Sequence, residues 1–336
     1  MKRNLPNLTV FLYAGSLLLA SCTEVVLDAA SGNQQEEFIS FDITRTQTRG
    51  TELSNDALSQ MGVFASENLN DYDAATATNT FMYNQLVQKS EGRWSYTPVK
   101  QWPSIEGLSF FAYAPYLENA EVLSFLPKET PGLPEFTYRV PQNISEQIDL
   151  LIAEPLFDQY YFKTPTVDFS FSHTLSCLDF SAQLDAGLPT GVTMQITEIT
   201  VSGLCSEGVL PVRYDGAVNW NLNAEKTATY QLTVANAALT GLNLQKTKQQ
   251  ISSKTNKFMP LPQTIGEDVV LSVRGRYTTA TGSDETVYTI PVNRYFSQFI
   301  PGRKYNINLI MSLTGIIVDF EIVPWDTYEM NIPSFD

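Results

Sequence analysis

The sequence predicts an all-β protein built as two β-sandwich domains in series. Three observations carry that expectation. Short apolar stretches with period-two alternation recur along the chain, turns bearing Gly, Asn and Pro separate them, and almost no segment has helical spacing. The chain is 336 residues long, 43% hydrophobic and only 17% charged, so it can bury a sizeable core and is too long for one small domain.

The N-terminus reads as an address. Lys2 and Arg3 precede an apolar run from Leu8 to Leu19, which fits a signal h-region and is too short to span a bilayer. The run ends in Leu19-Ala20-Ser21-Cys22, where small residues before a cysteine resemble a bacterial lipobox. Residues 1–21 are therefore expected to be a lipoprotein signal peptide, with lipidation (palmitate or a similar acyl chain) on Cys22. An ordinary signal peptide cut at Ser21 is the plainer alternative. Acyl chains contribute about 0.8 kcal/mol per buried CH₂, enough for stable anchoring when two or more are present. Residues 22–37 are small and polar, as in a tether.

Strand signals begin at Phe38, where Ile39, Phe41 and Ile43 share one face. Met61 to Phe64, Thr80 to Tyr83, Leu108 to Tyr113 and Asp149 to Ala153 continue the series, and only Leu53 to Gln60 has a brief helical look. The proline-bounded stretch Leu156 to Pro165 marks the expected boundary, giving domains at 38–163 and 164–336. In the second, Phe169, Phe171 and His173 alternate. Further strands are expected at Leu178 to Phe180, Val192 to Val201, Gly208 to Tyr214, Thr227 to Val234, Val269 to Tyr277, Glu285 to Val292, Lys304 to Ile310 and Ile316 to Trp325.

Candidate chemistry is sparse. The net charge of −15 argues against nucleic acid, because counterion release needs a basic surface. His173, the single histidine, and Cys177 would stand about 13 Å apart on a strand, too far for proton transfer, so His173 reads as a core residue. Asp71 and Asp73 resemble the start of a calcium loop, but Thr76 and Met82 stand where Gly and Glu are needed. No nucleotide fingerprint or nucleophile elbow occurs. We expect no enzyme, no cofactor and no metal. Cys177 and Cys205 could pair or remain two buried thiols. Lys246, Lys248, Lys254 and Lys257 read as a solvated basic loop. Trp94, Trp102 and the run Phe110 to Tyr113 read as aromatic core, with a carbohydrate platform as the alternative.

These residues also carry a resemblance. Cys22, Trp94, Trp102-Pro103, Phe110 to Pro115, Asp149 to Ala153, Phe171-Ser172-His173, Met259 to Gln263, Pro301 to Tyr305 and Trp325 occur in that order. The ordered set, over about residues 20–325, resembles the fimbrillin-like family of Bacteroides-type bacteria, the subunits of type V pili. The resemblance implies two transthyretin-like (Ig-like Greek-key) β-sandwich domains and a lipid-anchored precursor at the outer membrane and cell surface. It also implies an Arg-specific surface protease that removes the first strand, and donor-strand exchange with other pilus subunits. Ile39, Phe41 and Ile43 are then the strand removed. Arg49-Gly50 is the preferred cleavage site, and Arg45-Thr46 is second. The alternative is that these arginines are loop charges and the first strand stays in place.

At the other end, Tyr328, Met330 and Ile332 repeat the spacing of Ile39, Phe41 and Ile43, so the tail is a candidate donor strand. It could equally close its own C-terminal domain. Two functions are therefore expected from different classes. One is a structural subunit, shaft or tip, of a fimbrium supporting cell adhesion. The other is a non-polymerising surface lipoprotein that binds a glycan or a host-protein ligand.

Overall fold

The computed structural model describes residues 38–46, 58–118, 120–233, 242–253 and 257–325. In chain order the strands are β1 (Ser40–Thr46), β2 (Gln60–Asn68), β3 (Met82–Ser90), β4 (Arg93–Ser95), β5 (Gly107–Ala114) and β6 (Leu123–Phe125). There follow β7 (Glu135–Arg139), β8 (Leu151–Ala153), β9 (Leu156–Gln159), β10 (Thr166–His173), β11 (Cys177–Leu184) and β12 (Thr193–Cys205). Then come β13 (Glu207–Pro211), β14 (Asn221–Leu222), β15 (Thr227–Thr233), β16 (Leu242–Asn243), β17 (Gln249–Gln250) and β18 (Gln263–Thr264). The last are β19 (Val270–Thr279), β20 (Gly282–Pro291), β21 (Gln298–Phe299), β22 (Arg303–Met311) and β23 (Ile316–Pro324). The only helical segments among the described residues are short 3₁₀ turns at Ile144–Glu146 and Val292–Arg294, so the all-β class expected from the alternation is the class observed.

The first sheet runs β1-β10-β8-β5-β2-β3-β4, with β9 also paired to β5. Its central strands β2 and β5 are covered on both sides, which is why they read as nearly continuous apolar runs. Val63, Phe110 and Ala112 point into one core, and Phe64, Phe111 and Tyr113 into another. Gly62 is required there, because a β-carbon on it would fall 2.1 Å from the Tyr113 ring. A small sheet, β14-β13-β7-β6, lays Leu123, Phe136 and Tyr138 against that second core.

The remaining strands form two facing sheets, β15-β12-β19-β20 and β17-β11-β22-β23. Leu178, Phe180 and Ile307 of one sheet and Val201, Leu271 and Ile290 of the other line a cavity of about 20 Å³ between them. Most pairings are antiparallel; β1 with β10 and β11 with β22 are parallel. Residues 156–159, within the stretch read as a boundary, form β9 on β5, and β10 lies between β1 and β8. Gln60 opens β2 and is not helical.

Candidate functional site

The site is built around β1. Its alternation is realised in full: Ile39, Phe41 and Ile43 are 0%, 6% and 4% exposed, while Asp42 faces solvent. On one side β1 pairs in parallel with β10, Ser40 opposite Thr166 and Ile43 opposite Phe169, with an irregularity before Arg45. The other edge is nearly free. Among the described residues it holds an isolated bridge from Phe38 to Gln101 and a bond from the Ile39 amide to the Lys100 carbonyl, 2.9 Å. The Tyr96 hydroxyl donates to the Ile39 carbonyl at 3.0 Å and accepts from the Lys100 amide at 3.2 Å.

Under β1 lies an aromatic floor. The Phe41 ring stacks on Phe169 at 5.9 Å and meets Phe110 at 6.0 Å and Tyr96 at 5.3 Å edge-on. Trp102 closes on Phe110 at 5.8 Å. Trp102 is buried, as expected for a core residue, and Trp94 is half-buried with the Lys89 ammonium 5.9 Å from its ring. Burial pushes the Tyr96 hydroxyl up to about 12, against the lowering effect of its Lys100 bond, so Tyr96 is a neutral donor at physiological pH. Three large apolar side chains on a strand laddered along one edge make a plug. Lifting it out would strand the β10 edge and bare the floor.

The Arg45-Thr46 bond lies in the β1 ladder, opposite Ser170 and Phe171. Cys22, Arg49, Gly50, Tyr328, Met330 and Ile332 lie outside the described residues. Trp325, the last one described, is tied down: its amide donates to the Gly302 carbonyl at 2.9 Å and its ring stacks on His173, 4.5 Å away. His173 is a buried core residue whose Nδ1 lies 2.7 Å from an Asp149 carboxylate oxygen. Its partner is thus Asp149, far away in sequence. Cys177 and Cys205 are free thiols, and burial pushes Cys177 up to about 12, which leaves it inert as a nucleophile at neutral pH.

Of the basic loop, Lys246 and Lys248 are exposed, as a solvated loop requires, and Lys254 lies outside the described residues. Lys257 departs from that reading: its ammonium lies 3.7 Å from the buried Asp179 carboxylate, which Lys304 of β22 meets at 2.8 Å. Sequence reading also missed Tyr96, which holds β1, because nothing local ties it to residue 39. It missed equally the exposure of β23, where Ile317, Phe320 and Ile322 are 57%, 40% and 47% exposed.

Residues 44–325 match the sequence model of the fimbrillin-like proteins. The chain is similar to a fimbrium subunit, Fim1C, of Phocaeicola vulgatus, 26% identical over 305 residues that cover 85% of this chain and 76% of that protein. Its fold is similar to the crystal structure of a fimbrial protein from Bacteroides vulgatus. The TM-score is 0.71 at 21% identity, over 86% of this chain and all of the other. A Bacteroides uniformis protein with a proposed cell-adhesion role is more distant, with a TM-score of 0.52 at 18% identity, over 80% of this chain and 92% of that one.

Proposed function

The chain belongs to the fimbrillin-like family, and from that premise we propose that it is a structural subunit, shaft or tip, of a surface fimbrium. It is exported as a lipoprotein acylated on Cys22 and held at the outer membrane. An Arg-specific protease then cuts at Arg49-Gly50, or at Arg45-Thr46, and releases the strand bearing Ile39, Phe41 and Ile43. A neighbouring subunit fills the emptied trough with a strand of its own, the tail bearing Tyr328, Met330 and Ile332. The two-domain division at 38–163 and 164–336 belongs to this reading, with β10 serving the N-terminal sheet.

The observation that supports it is the seating of β1: the Ile39, Phe41 and Ile43 side chains are buried and the strand is laddered along one edge. Such a strand is exchangeable, because an incoming strand of the same spacing recovers both the ladder and the burial. Both candidate bonds lie C-terminal to Ile43, so either cut frees all three anchors. Trp325, fixed on His173 and Gly302, gives the tail a defined point of departure.

A disulfide across β1 and β10 tests the exchange. Asp42 and Asp168 are direct partners and both are exposed. In Asp42→Cys with Asp168→Cys, proteolysed protein should fail to polymerise when oxidised and should polymerise once reduced. Polymers forming equally well from the locked strand would overturn the proposal.

A further inference from the structure

Away from β1, one surface carries rings that extend from the core out to solvent. Phe111 on β5 is 1% exposed and meets Phe157 on β9 at 5.8 Å. Tyr72 packs on both, 5.7 Å from Phe111 and 5.1 Å from Phe157. Tyr214 lies nearly flat on Phe157, 5.1 Å between centroids and 22° between planes, and is itself 58% exposed. One face of the Tyr214 ring covers Phe157 and the Tyr72 ring meets it edge-on at 6.1 Å, which leaves the opposite face to account for the residue's exposure.

The turn that presents Tyr214 is fixed. The Gly216 amide donates to the Arg213 carbonyl at 3.0 Å, and Gly216 has a φ of +66°, which a β-carbon would strain. An Asp215 carboxylate oxygen accepts from the Ala217 amide at 3.1 Å and from the Arg213 Nε at 3.3 Å. The ring is thus held ready in place, and little ordering remains for a ligand to drive.

Polar groups surround the rings, and most are acidic. The Tyr72 hydroxyl is buried and has no hydrogen-bond partner among the described residues. Desolvation first, then Tyr214 and Asp73, push its ionisation upward, so it keeps its proton as a donor. Asp158 accepts from the Tyr72 amide at 2.9 Å and the Asn68 side chain at 2.6 Å. A β-carbon on Gly216 would lie 3.5 Å from the Glu154 Cγ, so that side chain also borders the turn.

We propose that this face binds a neutral sugar, a pyranose ring stacking its C–H face on the open face of Tyr214, with hydroxyls meeting the Asp215 and Arg213 groups beside it. An electron-rich ring face attracts the polarised C–H bonds of a pyranose, and carboxylates accept hydrogen bonds from its hydroxyls. The same carboxylates repel sialylated or uronic sugars. One ring face matches one sugar ring in size, whereas a stable protein partner needs roughly 800 Å² per side. The inference does not rest on strand exchange: a subunit that never polymerises would bind in the same way.

Saturation-transfer NMR on the mature chain provides the test, with lactose, maltotriose and xylotriose as neutral probes and 3′-sialyllactose as the anionic one. At least one neutral probe should show C–H saturation at millimolar concentration, with affinity kept in Tyr214→Phe and weakened tenfold or more in Tyr214→Ala. Tyr214→Leu keeps Phe157 covered while removing the π face, and should lose binding at an unchanged melting temperature. The proposal is overturned if no neutral probe binds, if binding survives in Tyr214→Leu, or if sialyllactose binds as well as the neutral sugars. Binding of a protein partner through Tyr214, with no sugar effect, would overturn it too.

Discussion

Two edge strands of this molecule have the same alternating pattern and opposite fates. In β1, Ile39, Phe41 and Ile43 are all buried, at most 6% exposed. In β23, the face that should point inward carries Phe320 at 40% and Ile322 at 47%. The difference lies in what opposes each strand. β1 meets Phe110 and Phe169 of its own sheet and Tyr96 just beyond β4. Across from β23 the facing sheet stops at β20, and the rings that reach Phe320 come from Tyr295 and Phe296, at 6.2 and 4.7 Å. Alternation therefore specifies a strand and its faces, while burial is decided by a partner that can lie anywhere in the chain. One alternating pattern thus gives a covered strand at one edge and a partly bare strand at another.

The largest expected effect is the loss of β1. Burial of three large apolar side chains is worth about 5–9 kcal/mol, which approaches the whole stability of an ordinary domain, roughly 5–15 kcal/mol. Deleting residues 38–46 should give a chain that aggregates or binds a hydrophobic dye, and a synthetic peptide of that sequence should restore a cooperative melt. A deleted chain that stays monomeric with an unchanged melting temperature would show that the trough is closed by other means. On the scale of single residues, Phe41→Ala should cost about 3–5 kcal/mol in denaturant unfolding. Phe320→Ala should cost less than about 2, since much of its ring is already wet. Equal costs would erase the contrast between the strands.

The sequence announced β1, β5 and β23 through local signals: period-two alternation, or an unbroken apolar run such as Leu108 to Tyr113 that a doubly covered strand requires. Two-residue strands such as β14 or β18 are too short to carry a period. Pairings between distant residues left no local trace either. β10 lies beside β1, Asp149 holds His173, Lys257 reaches Asp179, and Tyr214 lies on Phe157. Each arises only when the sheets come together, so the β1 side of the candidate site was legible and the Tyr214 face was not.

Alkali should act on the β1 side through Tyr96. Its folded pKa is raised from an ordinary value near 10 to about 12, chiefly by burial. A raised pKa contributes stability that is fully present below about pH 10 and is lost as pH rises toward 12. The loss is about 2–3 kcal/mol for two units. Ionisation also removes the donor that Tyr96 gives to the Ile39 carbonyl, so β1 should loosen over that window. At pH 7, Tyr96→Phe should cost about 1 kcal/mol, and between pH 10 and 12 that deficit should close and then reverse, because the variant has no phenol to ionise. A deficit that stays constant across that window would remove Tyr96 from the account.

The smallest expected effect sharpens the comparison most. Ile322 is on the inward face of β23 yet 47% exposed, opposite Tyr305 in the β22 ladder. If that face is open in the free subunit, Ile322→Lys changes stability by no more than about 0.5 kcal/mol, because a lysine stem can lie along the strand with its charge in water. The charge should also blunt the edge, so sedimentation velocity should show less self-association than in the parent at the same concentration. If residues 326–336 instead fold back to cover the face, the same lysine is forced under a strand. The cost then rises to several kcal/mol, as for an unpaired buried charge. Deleting residues 326–336 from the Ile322→Lys chain separates the two cases. A self-closed tail predicts that the deletion relieves the lysine's penalty and exposes the edge in both backgrounds, which fits a tip position. An open face predicts that the deletion leaves the melting temperature of both chains where it was, which fits a subunit whose tail is kept for a neighbour.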